Sequence, residues 1–315
     1  MTTDTSPRAM AERAAVLRRL ELLVSRRLDG LVSGEFLGIG TGPGSEPAGV
    51  RPYGPGDEAR RIDWNVTARS LAPQVRTTDP DRELETWIVI DRSASLDFGT
   101  TLQEKRDVAL AATAAFGLLS LQGGNHVQFM VAGGDELQRL KPASSRLSIM
   151  AALARLYDGD RAERPPAAGA ALRDALETLA RFRRRRGRVV IVSDFLDDGW
   201  AQPMQAIAHH HQTIAVQVVD PRERELPPVG ILAVVDTETG RELQVQTNSP
   251  KLRARYAEAA RARHEAIATG VRAAGATHVV LATDRDWVAD ISTFVRSQNQ
   301  HRSAQRAAMT VGVAG

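Results

Sequence analysis

Asp91, Ser93 and Ser95 stand at alternate positions directly after a four-residue apolar run, Trp87 to Ile90. The run has the pattern of a strand buried on both faces of a parallel sheet. A helix signal follows, because Thr101 and Glu104 have capping-box spacing ahead of the long apolar segment Val108 to Leu121. Strand, oxygen-rich loop and helix is the arrangement in which α/β sheets place ligands, outside the carboxyl ends of their strands. One carboxylate and two hydroxyls converging there suit a hard divalent cation such as magnesium or manganese.

This Asp91-x-Ser93-x-Ser95 stretch resembles the first part of the metal-ion-dependent adhesion site of von Willebrand factor A domains. The resemblance implies two serines from this loop, a threonine from a second loop and an aspartate after a later strand, all around one ion. Val189 to Val192 reads as a second buried strand, and Asp194 stands at its carboxyl end as the matching aspartate. Where the family writes Gly-Thr-x-x-x-x-Ala-Leu, this chain has Gly169-Ala170-Ala171-Leu172-Arg173-Asp174-Ala175-Leu176. Ala170 has no oxygen to give, so the implied site is incomplete and its magnesium or manganese weakly bound.

The elements that must position these residues come from a chain of 315 residues, long enough for one large domain or a domain with an extension. A hydrophobic content of 43% fits a globular protein and argues against disorder. The absence of cysteine removes disulfides, thiolate metal sites and cysteine nucleophiles, and is compatible with a reducing cytoplasm. The longest apolar stretch, Val108 to Leu121, has 14 residues, whereas a membrane span needs ~20. Charges throughout Met1 to Glu21 do not fit a signal peptide. A soluble cytoplasmic protein is expected. The net charge of +3 is the small difference between 41 basic and 38 acidic residues, and only 4% of residues are aromatic. Both disfavour nucleic acid as a partner.

Before the central strand, Ala9 to about Leu28 carries an apolar stripe at helical spacing, and residues 38–49 form a glycine- and proline-rich loop. Then comes Arg51-x-Tyr53-x-Pro55-Gly56-Asp57-x-x-Arg60-x-Ile62-Asp63-Trp64-x-x-x-Ala68-Arg69. Two physical readings are open for it: a lattice of arginine–carboxylate hydrogen bonds that anchors a hairpin against the sheet, or a contact surface for a partner. Ile62 and Trp64 sit among the charges as large apolar groups and are expected to be buried. On that expectation, Trp64→Ala costs about 3–5 kcal/mol.

This run is similar to the signature of the bacterial domain of unknown function 58 family, whose members place it just before a von Willebrand A-like strand and Asp-x-Ser-x-Ser loop. The resemblance covers about residues 28–297. It implies adaptors that accompany MoxR-type AAA+ ATPases in protein maturation or cofactor insertion, with a protein partner and no catalytic residue of their own.

Strands are expected at His126 to Ala132, Thr213 to Val219 and Thr277 to Ala282, with a short returning edge strand at Glu136 to Leu140. Residues 145–158, 168–181, 201–209 and 286–296 read as helices, and Ser249-Pro250 opens a further helix that Gly275 ends. Ile231 to Asp236 and Glu242 to Gln246 read as a hairpin. The arginine run Arg181 to Arg188 is read as a solvated helix end with Gly187 as its cap. His209 to His211 point in different directions on a helix and make a poor metal cluster. The expected fold is an α/β, von Willebrand A-like doubly wound, mostly parallel sheet with helices on both faces. It spans residues 83–297, preceded by an N-terminal extension over 1–82 packed on it and followed by a flexible tail over 298–315. A metal-dependent hydrolase of the phosphatase kind, using Asp91 and Asp194, is the alternative function.

Overall fold

The computed structural model describes residue 18 and residues 46–54, 57, 62–70, 72–79, 85–100, 103–121, 125–133, 137–158, 171–182, 186–235 and 242–311. In chain order the elements are β1 (Glu46–Pro52), α1 (Trp64–Thr67), β2 (Gln74–Asp79), β3 (Thr86–Asp91), a 3-10 turn (Ala94–Asp97), α2 (Lys105–Ser120), β4 (Val127–Ala132), β5 (Gln138–Arg139), α3 (Arg146–Asp158) and α4 (Ala171–Arg181). Then follow β6 (Arg188–Ser193), α5 (Ala201–His210), β7 (Gln212–Val219), a 3-10 turn (Pro221–Glu223), β8 (Ile231–Val235), β9 (Glu242–Gln246), α6 (Pro250–Ala273), β10 (Thr277–Ala282) and α7 (Trp287–Val311).

Six strands form the central sheet in the order β10-β7-β6-β3-β4-β5. All neighbours pair in parallel except β4 and β5. Alternate residues of β3 serve opposite faces, as strand geometry requires. Ile88 and Ile90 join one core with Phe116 of α2, Leu153 of α3 and Ile291 of α7. Trp87 and Val89 join the other with Leu176 of α4, Met204 of α5 and Val271 of α6. Helices therefore cover both faces, and the expected doubly wound α/β sheet is the fold observed. Among the described residues no helix is long and apolar enough to cross a membrane.

Several boundaries differ from expectation. The cap of α2 is Glu104, in a reciprocal capping box with Asp107, and Thr101 lies outside the described residues. The last residues of the glycine- and proline-rich loop belong to β1, which pairs antiparallel with β2. Helix α4 ends at Arg181, well before Gly187. The last helix does not stop at Arg296 but runs to Val311, through most of the segment expected as a flexible tail. That stretch has no apolar stripe, but its Ala, Gln, Arg and Met residues are strong helix formers. Except at Arg18, the stripe-bearing N-terminal segment lies outside the described residues, as does Ala170.

Candidate functional site

The connection reverses direction on the two sides of β3, so the crevice between the carboxyl ends of β3 and β6 is the switch point where such sheets collect ligands. Ile90 is the last residue of β3 in register with β6, opposite Val192. One step further the two chains are joined by side chains: Ser193 Oγ donates to Asp91 Oδ2 at 2.6 Å. The Ser93 backbone N–H donates to the other oxygen, Oδ1, at 2.8 Å. The hydroxyls of Ser93 and Ser95 lie 2.9 Å apart in one hydrogen bond. Burial first, then the neighbouring Asp194 carboxylate, push the Asp91 pKa up to about 7 against the hydrogen bonds that oppose the shift.

Asp194 has a partner that the spacing of oxygen ligands did not reveal. Lys105 Nζ donates to Asp194 Oδ2 at 2.8 Å, while Oδ1 accepts from the Leu196 N–H at 3.2 Å. The same ammonium also donates to Glu223 Oε1. Lys105 is fully buried, with 0% of its surface exposed. Burial alone would lower its pKa, but the Asp194 and Glu223 carboxylates outweigh that and hold it above the ordinary lysine value. Only the observed start of α2 makes Lys105 stand out. Lysine at the first position of a helix opposes the macrodipole, which favours carboxylates there.

Behind Lys105 the network continues. Glu223 Oε2 accepts from the Asp220 N–H at 3.0 Å. The Asp220 carboxylate accepts from the Thr100 N–H at 3.0 Å, Thr100 Oγ1 at 2.6 Å, the Arg222 N–H at 2.9 Å and Thr283 Oγ1 at 2.8 Å. On the other side, Ser193 Oγ accepts from the Phe195 N–H at 2.9 Å. Phe195 sits at φ 57, an uncommon conformation for a bulky residue, and its ring packs edge-on against Trp200 with centroids 5.2 Å apart.

The four residues expected to hold magnesium or manganese are thus neighbours at the strand tips, yet their donor set does not fit a directly held divalent ion. Asp194 already faces an ammonium group, both oxygens of Asp91 accept internal hydrogen bonds, and Ser93 and Ser95 bond to each other. Among the described residues, no group of three or more histidines or carboxylates could hold a metal ion. His211 Nδ1 instead accepts from the Gly187 N–H at 3.3 Å, and burial lowers its pKa.

The arginine/aspartate run forms the connection between β1 and β2. Its aspartates serve backbone groups: Asp57 Oδ2 accepts from the Gly54 N–H at 2.9 Å, and Asp63 Oδ1 caps α1 by accepting from the Asn65 and Val66 N–H groups at 3.0 and 3.3 Å. Tyr53 donates its hydroxyl to the Asp57 carbonyl at 3.1 Å, and Ile62 bridges to Val75. Arg69 is exposed, while Gly56 and Arg60 lie outside the described residues, as does the side chain of Arg51. The burial expected of Trp64 is not observed. Asp63 turns the chain into α1 with Trp64 as its first residue, and Trp64 is 68% exposed; Tyr53, in the same connection, is 42% exposed.

Among solved structures, the chain is similar to the conserved hypothetical protein BatB from Bacteroides thetaiotaomicron, with 17% identity, coverage of 69% of this chain and 99% of that one, and a TM-score of 0.44. An aerotolerance-related membrane protein from Bacteroides fragilis matches over the same shares at 15% identity and a TM-score of 0.45. In sequence, the uncharacterized proteins Mb1516 of Mycobacterium bovis and Rv1480 of Mycobacterium tuberculosis are each 45% identical over 290 residues, covering 91% of this chain and 90% of theirs. The family model described as protein of unknown function DUF58 matches residues 49–266, from β1 through the strand-tip network and into α6, and the chain belongs to that family.

Proposed function

We propose that this chain is a non-enzymatic, von Willebrand A-like interaction module, an adaptor that works in the cytoplasm with a MoxR-type AAA+ ATPase or its client. The observation that carries this reading is the engagement of the strand-tip carboxylates. Asp91 and Asp194 are 3% and 2% exposed, and their oxygens accept from Ser193, Ser93, Lys105 and Leu196. A general base must reach its substrate's proton. These carboxylates instead tie the strand tips together from within, which suits a structural role beneath a recognition surface. The exposed Trp64 and Tyr53 supply a second contact, since interfaces draw most of their energy from a few such aromatics. The weakly bound magnesium or manganese implied by the adhesion-site resemblance is not required for this role.

The hydrolase reading is favoured by one observation, the Asp91 pKa of about 7, because raised carboxylate values cluster at catalytic sites. The two readings separate experimentally. Purified chain should bind a purified MoxR-type ATPase, with Trp64→Ala weakening the complex, and should show no phosphatase turnover with magnesium or manganese. Metal-dependent turnover that disappears in both Asp91→Ala and Asp194→Ala overturns the adaptor reading.

A further inference from the structure

We propose that Lys105 takes the place of the divalent cation: its tethered ammonium is the cation of the strand-tip site, and the site is assembled without free metal. Three observations carry this. Lysine is almost never fully buried unless paired, and Lys105, with no exposed surface, is paired to two carboxylates. One of those is Asp194, the residue standing where a metal-binding relative would use its later aspartate. Finally, the ammonium comes from the first position of α2, where the helix itself disfavours positive charge. Its position is therefore set by Asp194 and Glu223 and not by the helix that carries it.

The electrostatics exclude a shared site. A magnesium ion on Asp194 Oδ2 would stand within a few ångströms of a buried ammonium, and in a poorly solvated interior that repulsion is screened less than in water. Binding therefore requires Lys105 to leave, which in turn leaves Glu223 without its charged partner. A soluble ion cannot compete well against a covalently attached one. The consequence goes beyond the adaptor reading and does not depend on it: the strand-tip surface is insensitive to chelators and to cellular magnesium.

The test uses the isolated full chain, so that it can fail while the adaptor reading stands, or the reverse. Manganese is titrated into chelator-treated wild type by calorimetry and by electron paramagnetic resonance, with thermal melts alongside. Wild type is expected to show no saturable binding below ~1 mM and no change in melting temperature, whereas calcium- and magnesium-type sites with a full ligand set bind far more tightly. Lys105→Met keeps the apolar stem and removes the charge. It should bind manganese at least about tenfold more tightly than wild type and melt higher when manganese is added. Lys105→Met/Glu223→Gln, which relieves the second carboxylate, should show the same gain and covers the case in which the single variant does not fold. Wild-type binding tighter than ~0.1 mM that is lost in Asp194→Asn overturns the proposal. So does a folded Lys105→Met, or double variant, with no gain; if neither variant folds, the wild-type titration decides.

Discussion

Ser193 illustrates how residues within one site can differ in weight. Its hydroxyl donates to Asp91 and accepts from the Phe195 N–H, and all three residues are buried. Ser193→Ala leaves a buried carboxylate oxygen and a buried amide without their partners, an expected loss of about 2–4 kcal/mol in urea unfolding. Ser93 is less buried, and among the described residues its hydroxyl bonds Ser95. Ser93→Ala should cost under about 1 kcal/mol. Equal losses for the two would show that the Ser93–Ser95 hydroxyl bond weighs as much as the buried Ser193 bridge to Asp91. Trp64→Ala should change stability by no more than about 0.5 kcal/mol, as is usual at exposed positions, where burial had implied several. Asp91, Ser93, Ser95 and Asp194 were legible because strand ends are local features of the sequence. Lys105 and Glu223 were not, since the two are 118 residues apart and only the folded sheet brings them together.

At the scale of elements, the buried strands and both helical layers were legible because apolar runs and helical stripes reflect the same burial that forms them. The boundaries that moved depend on neighbours distant in the chain. Gly187, which looks like a helix cap, begins the approach of β6 to β3 instead: the Arg188 N–H donates to the Glu85 carbonyl at 3.1 Å, and the Gly187 carbonyl accepts from the Gln212 N–H at 3.0 Å. A Cβ on Gly187 would run into the Glu85 carbonyl oxygen, which is backbone and cannot swing aside. Gly187→Ala is therefore expected to cost about 2–3 kcal/mol through overpacking. A variant that melts with wild type would mean that the strand entrance adjusts without loss. The extension of α7 to Val311 shows the opposite case, in which residues of strong helix propensity continue a helix past Val295, its last described core residue.

For the whole molecule, the tips of the sheet behave as one hydrogen-bonded unit running from Asp194 after β6, through Lys105 of α2 and Glu223, to Asp220 after β7 and Thr283 after β10. Asp220 is its hub. Burial by itself would raise the Asp220 pKa, but the donors on Thr100, Arg222 and Thr283 outweigh burial and hold it below the ordinary aspartate value of 3.8. A carboxylate with a depressed folded pKa contributes stability that is complete above its unfolded value and is lost as pH falls through the folded one. Asp220→Asn removes that contribution at every pH and turns an amide N–H₂ toward groups that are themselves donors. The gap between wild type and variant should therefore be widest near neutral pH, at about 2–3 kcal/mol, and should close in acid below the ordinary aspartate range. Because Glu223 bonds both the Asp220 backbone and Lys105, Asp220→Asn and Glu223→Gln should be non-additive by about 1 kcal/mol or more in a double-mutant cycle. Denaturant unfolding of the four proteins across the pH range measures both effects. Additive losses with a pH-independent gap would mean that the strand tips are separate local contacts, with Lys105 tied to Asp194 alone.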